Sequence, residues 1–164
     1  MYNVKKFVLL LLAGVCVVPG AWGASSPESV ASRMLDGRKH FWQQIDKDPV
    51  EGTYTSRELF RYALVLCEAD ADLDRLNRLF ELAARMQQRN KEEPGYGNFY
   101  WYSDRHEVKD RNAVEFCMEP ATILWIRHGD RLGKNARQKL RTLMDYAVKG
   151  CLNHRVGSTY TNIS

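Results

Sequence analysis

PGYGNFYWYSDRHEVKDRNAVEFCME, residues 94–119, is the stretch on which the reading of this chain turns. Tyr96, Phe99, Tyr100, Trp101 and Tyr102 crowd together among glycines that leave the backbone free to turn. A dense polar run follows, Asp104-Arg105-His106-Glu107, then Asp110-Arg111-Asn112 and Glu115. The segments on both sides carry apolar residues at helical spacing, so the stretch is a long connection between helices. Structureless connections of about 20 residues are uncommon in compact domains and are either functional or disordered. Disordered segments are poor in aromatics. The loop is therefore expected to fold, with its rings either pinning it to the helices or held out to a ligand.

Working outward toward the N-terminus, the helix before the loop is expected over Leu73–Arg89. Leu73, Leu76, Leu79, Phe80, Ala83 and Met86 form its apolar stripe, and Arg75, Arg78, Glu81, Arg85 and Arg89 its wet face. Glu68, Asp70 and Asp72 mark a tight link to a preceding helix that opens at Thr55-x-x-Glu58, a capping box. Leu59, Tyr62, Ala63, Leu66 and Cys67 continue that helix. Ser26-Pro27-Glu28 starts the first one, which runs toward Asp46 through Val30, Met34, Phe41, Trp42 and Ile45 and is weakened at Gly37.

Beyond the loop, Asn112-x-x-Glu115 reads as a second capping box. It opens a helix through Val114, Met118, Ala121, Leu124, Trp125 and His128, with Pro120 either kinking it or following a start at Glu119. A turn over Gly129–Gly133 leads to a last helix capped by Asn135, with Leu140, Leu143, Met144, Ala147 and Cys151 on one face. The tail from Asn153 is polar and turn-rich, and Tyr160-Thr161-Asn162-Ile163 resembles the opening of another helix. The class is all-α, built of antiparallel helix hairpins.

Residues 1–23 stand apart from this fold. Lys5 and Lys6, the apolar run Phe7–Val18, the break at Pro19-Gly20 and the small-residue site Ala21-Trp22-Gly23 form a signal peptide, with cleavage expected before Ala24. The run falls short of the ~20 residues that span a bilayer. A lipoprotein signal at Cys16 is the weaker rival, because bulky Val15 precedes the cysteine. Residues 24–164 then form one helical domain in the periplasm or outside the cell, with no stable membrane insertion after cleavage. The formal charge of +4 falls by two when Lys5 and Lys6 leave, and no basic block remains for nucleic acid. Cys67, Cys117 and Cys151 match no zinc or redox spacing and read as small buried hydrophobes. The histidines show no ligand spacing, so no metal is expected, and nothing implies a cofactor.

Together, the helix pairs, Gly97-Asn98-Phe99-Tyr100-Trp101, Asp110-Arg111-Asn112-Ala113-Val114-Glu115-Phe116 and Tyr160-Thr161-Asn162-Ile163 resemble the N-terminal part of a secreted bacterial (α/α) toroid. The likeness is to six-hairpin glycosidases and to the helical domains of heparinase- and alginate-lyase-like enzymes. It implies part of an (α/α)6 ring with a glycan cleft formed by the loops at one end. The partner would be a polysaccharide or oligosaccharide, cut by hydrolysis or β-elimination, or simply bound by a non-catalytic module. The chain holds about two and a half of six hairpins, so an incomplete ring would leave Leu140, Leu143 and Met144 without a packing partner on one side.

Each candidate site residue has a structural and a chemical reading. Tyr100, Trp101 and Tyr102 suit a sugar platform, since flat rings cover pyranose C–H faces, yet half-buried rings also pin loops. Trp101 and Tyr102, adjacent in the chain, are expected to point to opposite sides. Asp110 and Glu115 suit acid–base work in a glycosidase, and Asn112 suits a substrate carboxylate; the same three residues are also accounted for by capping a helix. His154 and Tyr160 suit the base and acid of a uronate lyase, and Asn162 joins the substrate contacts.

Overall fold

The computed structural model describes residues 26–153. Among these, six α-helices carry the fold: α1 (Pro27–Asp36), α2 (Lys39–Ile45), α3 (Ser56–Glu68), α4 (Leu76–Arg85), α5 (Ala113–His128) and α6 (Lys134–Asn153), with a short 3₁₀ turn at Leu73–Arg75 before α4. Residues 1–23, where the sequence leads to the expectation of a signal peptide, and the tail bearing His154, Tyr160 and Asn162 lie outside the described residues.

The local signals explain most starts. Ser26 accepts the Ser29 amide on its hydroxyl at 3.2 Å, with proline at the first turn of α1. At α3 the capping box is complete: the Glu58 amide donates to Thr55 Oγ1 (3.2 Å), and the Thr55 amide donates to Glu58 Oε2 (2.8 Å). The acidic link turns sharply because Asp70 and Asp72 adopt left-handed backbone conformations, a region that Asp tolerates better than most side chains.

Several expectations need correction. The first helix is two, because the chain breaks at Gly37-Arg38 before α2. The helix expected to reach Arg89 ends at Arg85, since the following residues pair instead with the aromatic loop: the Tyr100 amide donates to the Met86 carbonyl (2.8 Å) and the Gln88 amide to the Asn98 carbonyl (2.9 Å). Asn112 makes no side-chain cap. Its backbone is already helical (φ −83°, ψ −2°), and Asp110 Oδ1 accepts its amide at 3.0 Å. Asn135 caps nothing, as α6 is under way at Lys134 and the Arg137 amide bonds the Gly133 carbonyl. Pro120 sits inside one continuous α5.

Four helices form the core as two hairpins laid side by side. Glu68 at the end of α3 meets Arg127 (2.9 Å) and His128 (3.0 Å) at the end of α5, and Asp70 pairs with Arg131 just beyond. Lys139 near the start of α6 meets Asn77 (3.2 Å) and Glu81 (2.7 Å) on α4. So α3 runs parallel to α5, α4 runs parallel to α6, and each hairpin is antiparallel within itself. A simple up-down bundle would instead set α4 beside α5. α1 packs on α3. The core holds Phe60, Leu66, Leu79, Phe80, Leu124, Leu140 and Leu143, all essentially without solvent contact. Leu140 and Leu143 are therefore covered, contrary to the incomplete-ring expectation. Met144 is half-buried, and the apolar side chains that α6 does expose are Val148 and Leu152.

Candidate functional site

Because α4 ends, α5 starts, α3 starts and α6 ends at the same end of the stack, one connection, residues 86–112, touches all four helix ends. Its middle, residues 98–103, is an extended segment held on both edges. On one side it pairs with residues 86–88 after α4. On the other, the Ser56 amide donates to the Trp101 carbonyl (3.1 Å), the Ser103 amide to the Tyr54 carbonyl (2.9 Å) and the Tyr54 amide to Ser103 Oγ (3.1 Å).

Buried polar groups lock the segment to α5 and α6. Asn98 Nδ2 donates to the Arg111 carbonyl at 2.8 Å. Gln87 Nε2 donates to the Leu143 carbonyl (3.0 Å) and more weakly to the Gly97 carbonyl (3.4 Å), while Arg89 donates to Gln87 Oε1. Each satisfied group avoids the ~1–3 kcal/mol cost of a buried polar atom left unpaired. Gly97 crosses α6 at Gly150, backbone against backbone: a Cβ on Gly97 would lie 2.3 Å from the Tyr146 carbonyl oxygen and 2.5 Å from the Gly150 nitrogen. Phe99 drives the anchor home, fully buried and edge-on to Phe60 at 5.6 Å.

The segment then presents its polar side. Trp101, Tyr102, Arg105, Glu107, Lys109 and Asp110 line a cleft of about 270 Å³. Trp101 is half-buried, its ring edge-on to Phe116 of α5 at 5.6 Å. Tyr102 is 40% exposed with the Arg105 guanidinium over its ring at 5.4 Å. Lys109 pairs with Glu107 at 3.0 Å, both of them exposed. Asp110 is half-buried. Its bond from the Asn112 amide uses one acceptor position of the carboxylate, which offers about four lone-pair sites in all. The cleft thus joins an aromatic wall to both signs of charge, which suits a polyhydroxylated ligand better than a purely ionic one.

Three sequence candidates, Trp101, Tyr102 and Asp110, come together here, with Trp101 against Phe116 and Tyr102 against Arg105. Tyr100 packs edge-on to His106 at 5.8 Å and does not line the cleft. Burial, with Glu93 adding to it, holds its phenol above the ordinary tyrosine range, so it serves as a neutral hydroxyl. Asn112 is buried beneath the loop, and Glu115 is half-buried on α5, where its charge helps raise the Cys151 thiol after burial has done most of it. Arg105, Glu107 and Lys109 were visible only as a charged run. Gln87, which holds the loop in place, gave no signal, because its partners Gly97 and Leu143 are distant in sequence.

Cys67, Cys117 and Cys151 are free thiols, the first two buried and the third half-buried. Burial pushes Cys67 up to about 11 and Cys117 up to about 12. Among the described residues no group of three His, Cys, Asp or Glu side chains gathers as a metal site, and no helix is long and apolar enough to cross a membrane. No protein-family model, curated protein or solved structure matches the chain.

Proposed function

We propose that this chain is an exported carbohydrate-active protein of the (α/α) toroid kind that holds an oligosaccharide in the loop-end cleft. One observation carries the reading: Trp101, Tyr102 and Asp110 line one cleft, at the end where the connection touches four helix ends. Rings of this sort cover the apolar faces of a pyranose while Arg105, Lys109 and Asp110 reach its hydroxyls. The stacking of two hairpins in the same sense supports the toroid part, since a ring grows by adding hairpins beside hairpins.

Of the two forms considered, enzyme or binding module, the geometry favours binding. Of the two carboxylates lining the cleft, Asp110 receives the Asn112 amide and Glu107 forms an exposed ion pair with Lys109. A glycosidase sets two carboxyl groups across the scissile bond. Glu115, the other carboxylate candidate, does not line the cleft. Among the described residues a catalytic carboxylate in the cleft would be Asp110, while the lyase pair His154 and Tyr160 lies outside them.

The test is titration of the full chain against a panel of neutral and acidic oligosaccharides, with Trp101→Ala and Tyr102→Ala beside it. Binding that both variants weaken at least tenfold, with the helical circular dichroism retained, supports the reading. Trp101→Ala should also cost about 2 kcal/mol of stability, roughly half of the ~3–5 kcal/mol of a fully buried aromatic, because the ring is half-buried on Phe116. Absence of binding across the panel, or binding untouched by both changes, refutes it.

A further inference from the structure

Away from the loop-end cleft, a groove runs between α1, α3 and α5. It has two adjoining lobes, about 360 and 430 Å³, which share Met34 and Arg38. Its floor is apolar, with Met34 of α1 facing Leu64 of α3 and Pro120 and Ile123 of α5. Its charges balance, Arg38 and Arg61 against Glu58 and Glu119, so the lining selects neither an anion nor a cation.

The α5 rim of the groove carries a sharper pattern. Glu119, Ile123 and Ile126 fall at i, i+4 and i+7 on α5, one face of the helix, and Arg127 follows at its end. The stripe therefore reads acid, apolar, apolar, base. Glu119 is exposed and, among the described residues, in no ion pair. Arg127 meets Glu68 yet leaves 62% of its side chain in water. Ile126 is 75% exposed, the most of any large apolar side chain among the described residues. On the opposite rim Met34 is 46% exposed, and Val30, one turn before it on α1, 41%. One face thus holds a projecting apolar side chain, an apolar hollow beside it and a charge of each sign at opposite ends.

We propose that this face pairs with the same face of a second copy about a two-fold axis. The two α5 helices then run antiparallel. Ile126 of each protomer enters the groove of the other against Ile123 and Met34, and Glu119 of each meets Arg127 of the other. A two-fold interface uses one patch twice, so that patch must hold both halves of every contact. Here it does: the knob and the hollow are one turn apart on α5, and antiparallel pairing sets each acid by a base. A small ligand of either charge would meet its own sign in the groove, and a neutral one would fill the hollow and leave Ile126 in water. The sugar cleft, built from residues 101–110 ahead of α5, plays no part in the pairing.

The experiment is sedimentation equilibrium of the chain beginning at Ala24, which contains every described residue. A reversible monomer–dimer equilibrium is expected below about 200 μM, at the weak end of specific interfaces. Ile126→Glu and Glu119→Arg should each weaken it at least tenfold, while Val148→Glu, at an exposed apolar site on α6, leaves it unchanged. All three side chains are exposed, so the variants should keep the parent's thermal melt. A protein that stays monomeric at about 200 μM overturns the proposal, and its one-to-one binding of dodecyl maltoside would give the groove to a small ligand instead. A dimer unmoved by Ile126→Glu or by Glu119→Arg overturns it too, as does one broken by Val148→Glu. So does an assembly that grows beyond two copies, since a two-fold contact closes at the dimer.

Discussion

Replacing Gly97 by alanine tests the architecture of the loop end most directly. Gly97 has φ +87°, a conformation that costs an L-residue roughly 1–2 kcal/mol. The new Cβ would also meet the Tyr146 carbonyl oxygen at 2.3 Å and the Gly150 nitrogen and Cα at 2.5 and 3.1 Å. All three are backbone atoms of α6, which cannot swing aside as a side chain can. Overpacking of this kind costs about 1–3 kcal/mol, so Gly97→Ala should destabilise by about 2–5 kcal/mol in all. Gly37→Ala is the matched control. Its backbone is right-handed helical (φ −64°) and its nearest neighbours stand at 3.6 and 3.7 Å, so the substitution should stabilise by about 0.4–1 kcal/mol through the unfolded chain. Urea unfolding followed by circular dichroism reads both, as a change of midpoint at constant slope. A Gly97→Ala protein as stable as the parent would show that the loop does not cross α6 at Gly150, and the description of the loop end would fall with it.

Four further outcomes follow from other parts of the chain. Glu68→Ala removes the acceptor shared by Arg127 and His128; with the His128 side chain only 7% exposed, the loss should be about 1–3 kcal/mol in the same unfolding assay, against no change from Glu107→Ala at the surface. Cys67 and Cys117 should resist a thiol reagent at pH 8 in the native chain beginning at Ala24 while Cys151 reacts, and a count of one labelled cysteine by mass spectrometry checks it. The same burial sets a pH dependence. The folded thiols titrate near 11 and 12 and the unfolded ones near 9, so the unfolded chain holds fewer protons between these values, and stability should fall as pH rises through that window. On the export reading, intact-mass analysis should place the N-terminus at Ala24; retention of Met1 on a soluble form would end that reading.

What the sequence disclosed was what short-range chemistry determines. Thr55 and Glu58 lie within one helical turn, so their capping box is written in the residues themselves. Apolar spacing likewise announced α3, α4, α5 and α6. The clearest errors arise where a partner outside the expected local pattern takes a backbone group first. α4 stops at Arg85 because Met86 and Gln88 find hydrogen bonds on Tyr100 and Asn98, and helical spacing is blind to such competition. Asn112 and Glu115 have the spacing of a capping box, yet Asp110, two residues upstream, takes the Asn112 amide first. For the site, the density of rings pointed to Trp101 and Tyr102. It did not predict that both line one cleft, because that depends on which backbone groups of Tyr54 and Ser56 hold the segment's other edge.

The same geometry couples the stability of the stack to the shape of the cleft. The connection carrying Trp101 and Tyr102 has no helix of its own; it takes its form from residues 54–56, residues 86–88, the start of α5 and the crossing at Gly150. A change that moves α6 away from α4 therefore breaks contacts that hold the loop. Gln87 is the hinge of this argument, because its one amide nitrogen reaches both the loop, at Gly97, and α6, at Leu143. It does not line the cleft, and its amide nitrogen reaches carbonyls of the loop and α6. A residue so placed shapes the cleft by fixing the backbone behind it, which explains a buried glutamine at this end of the core.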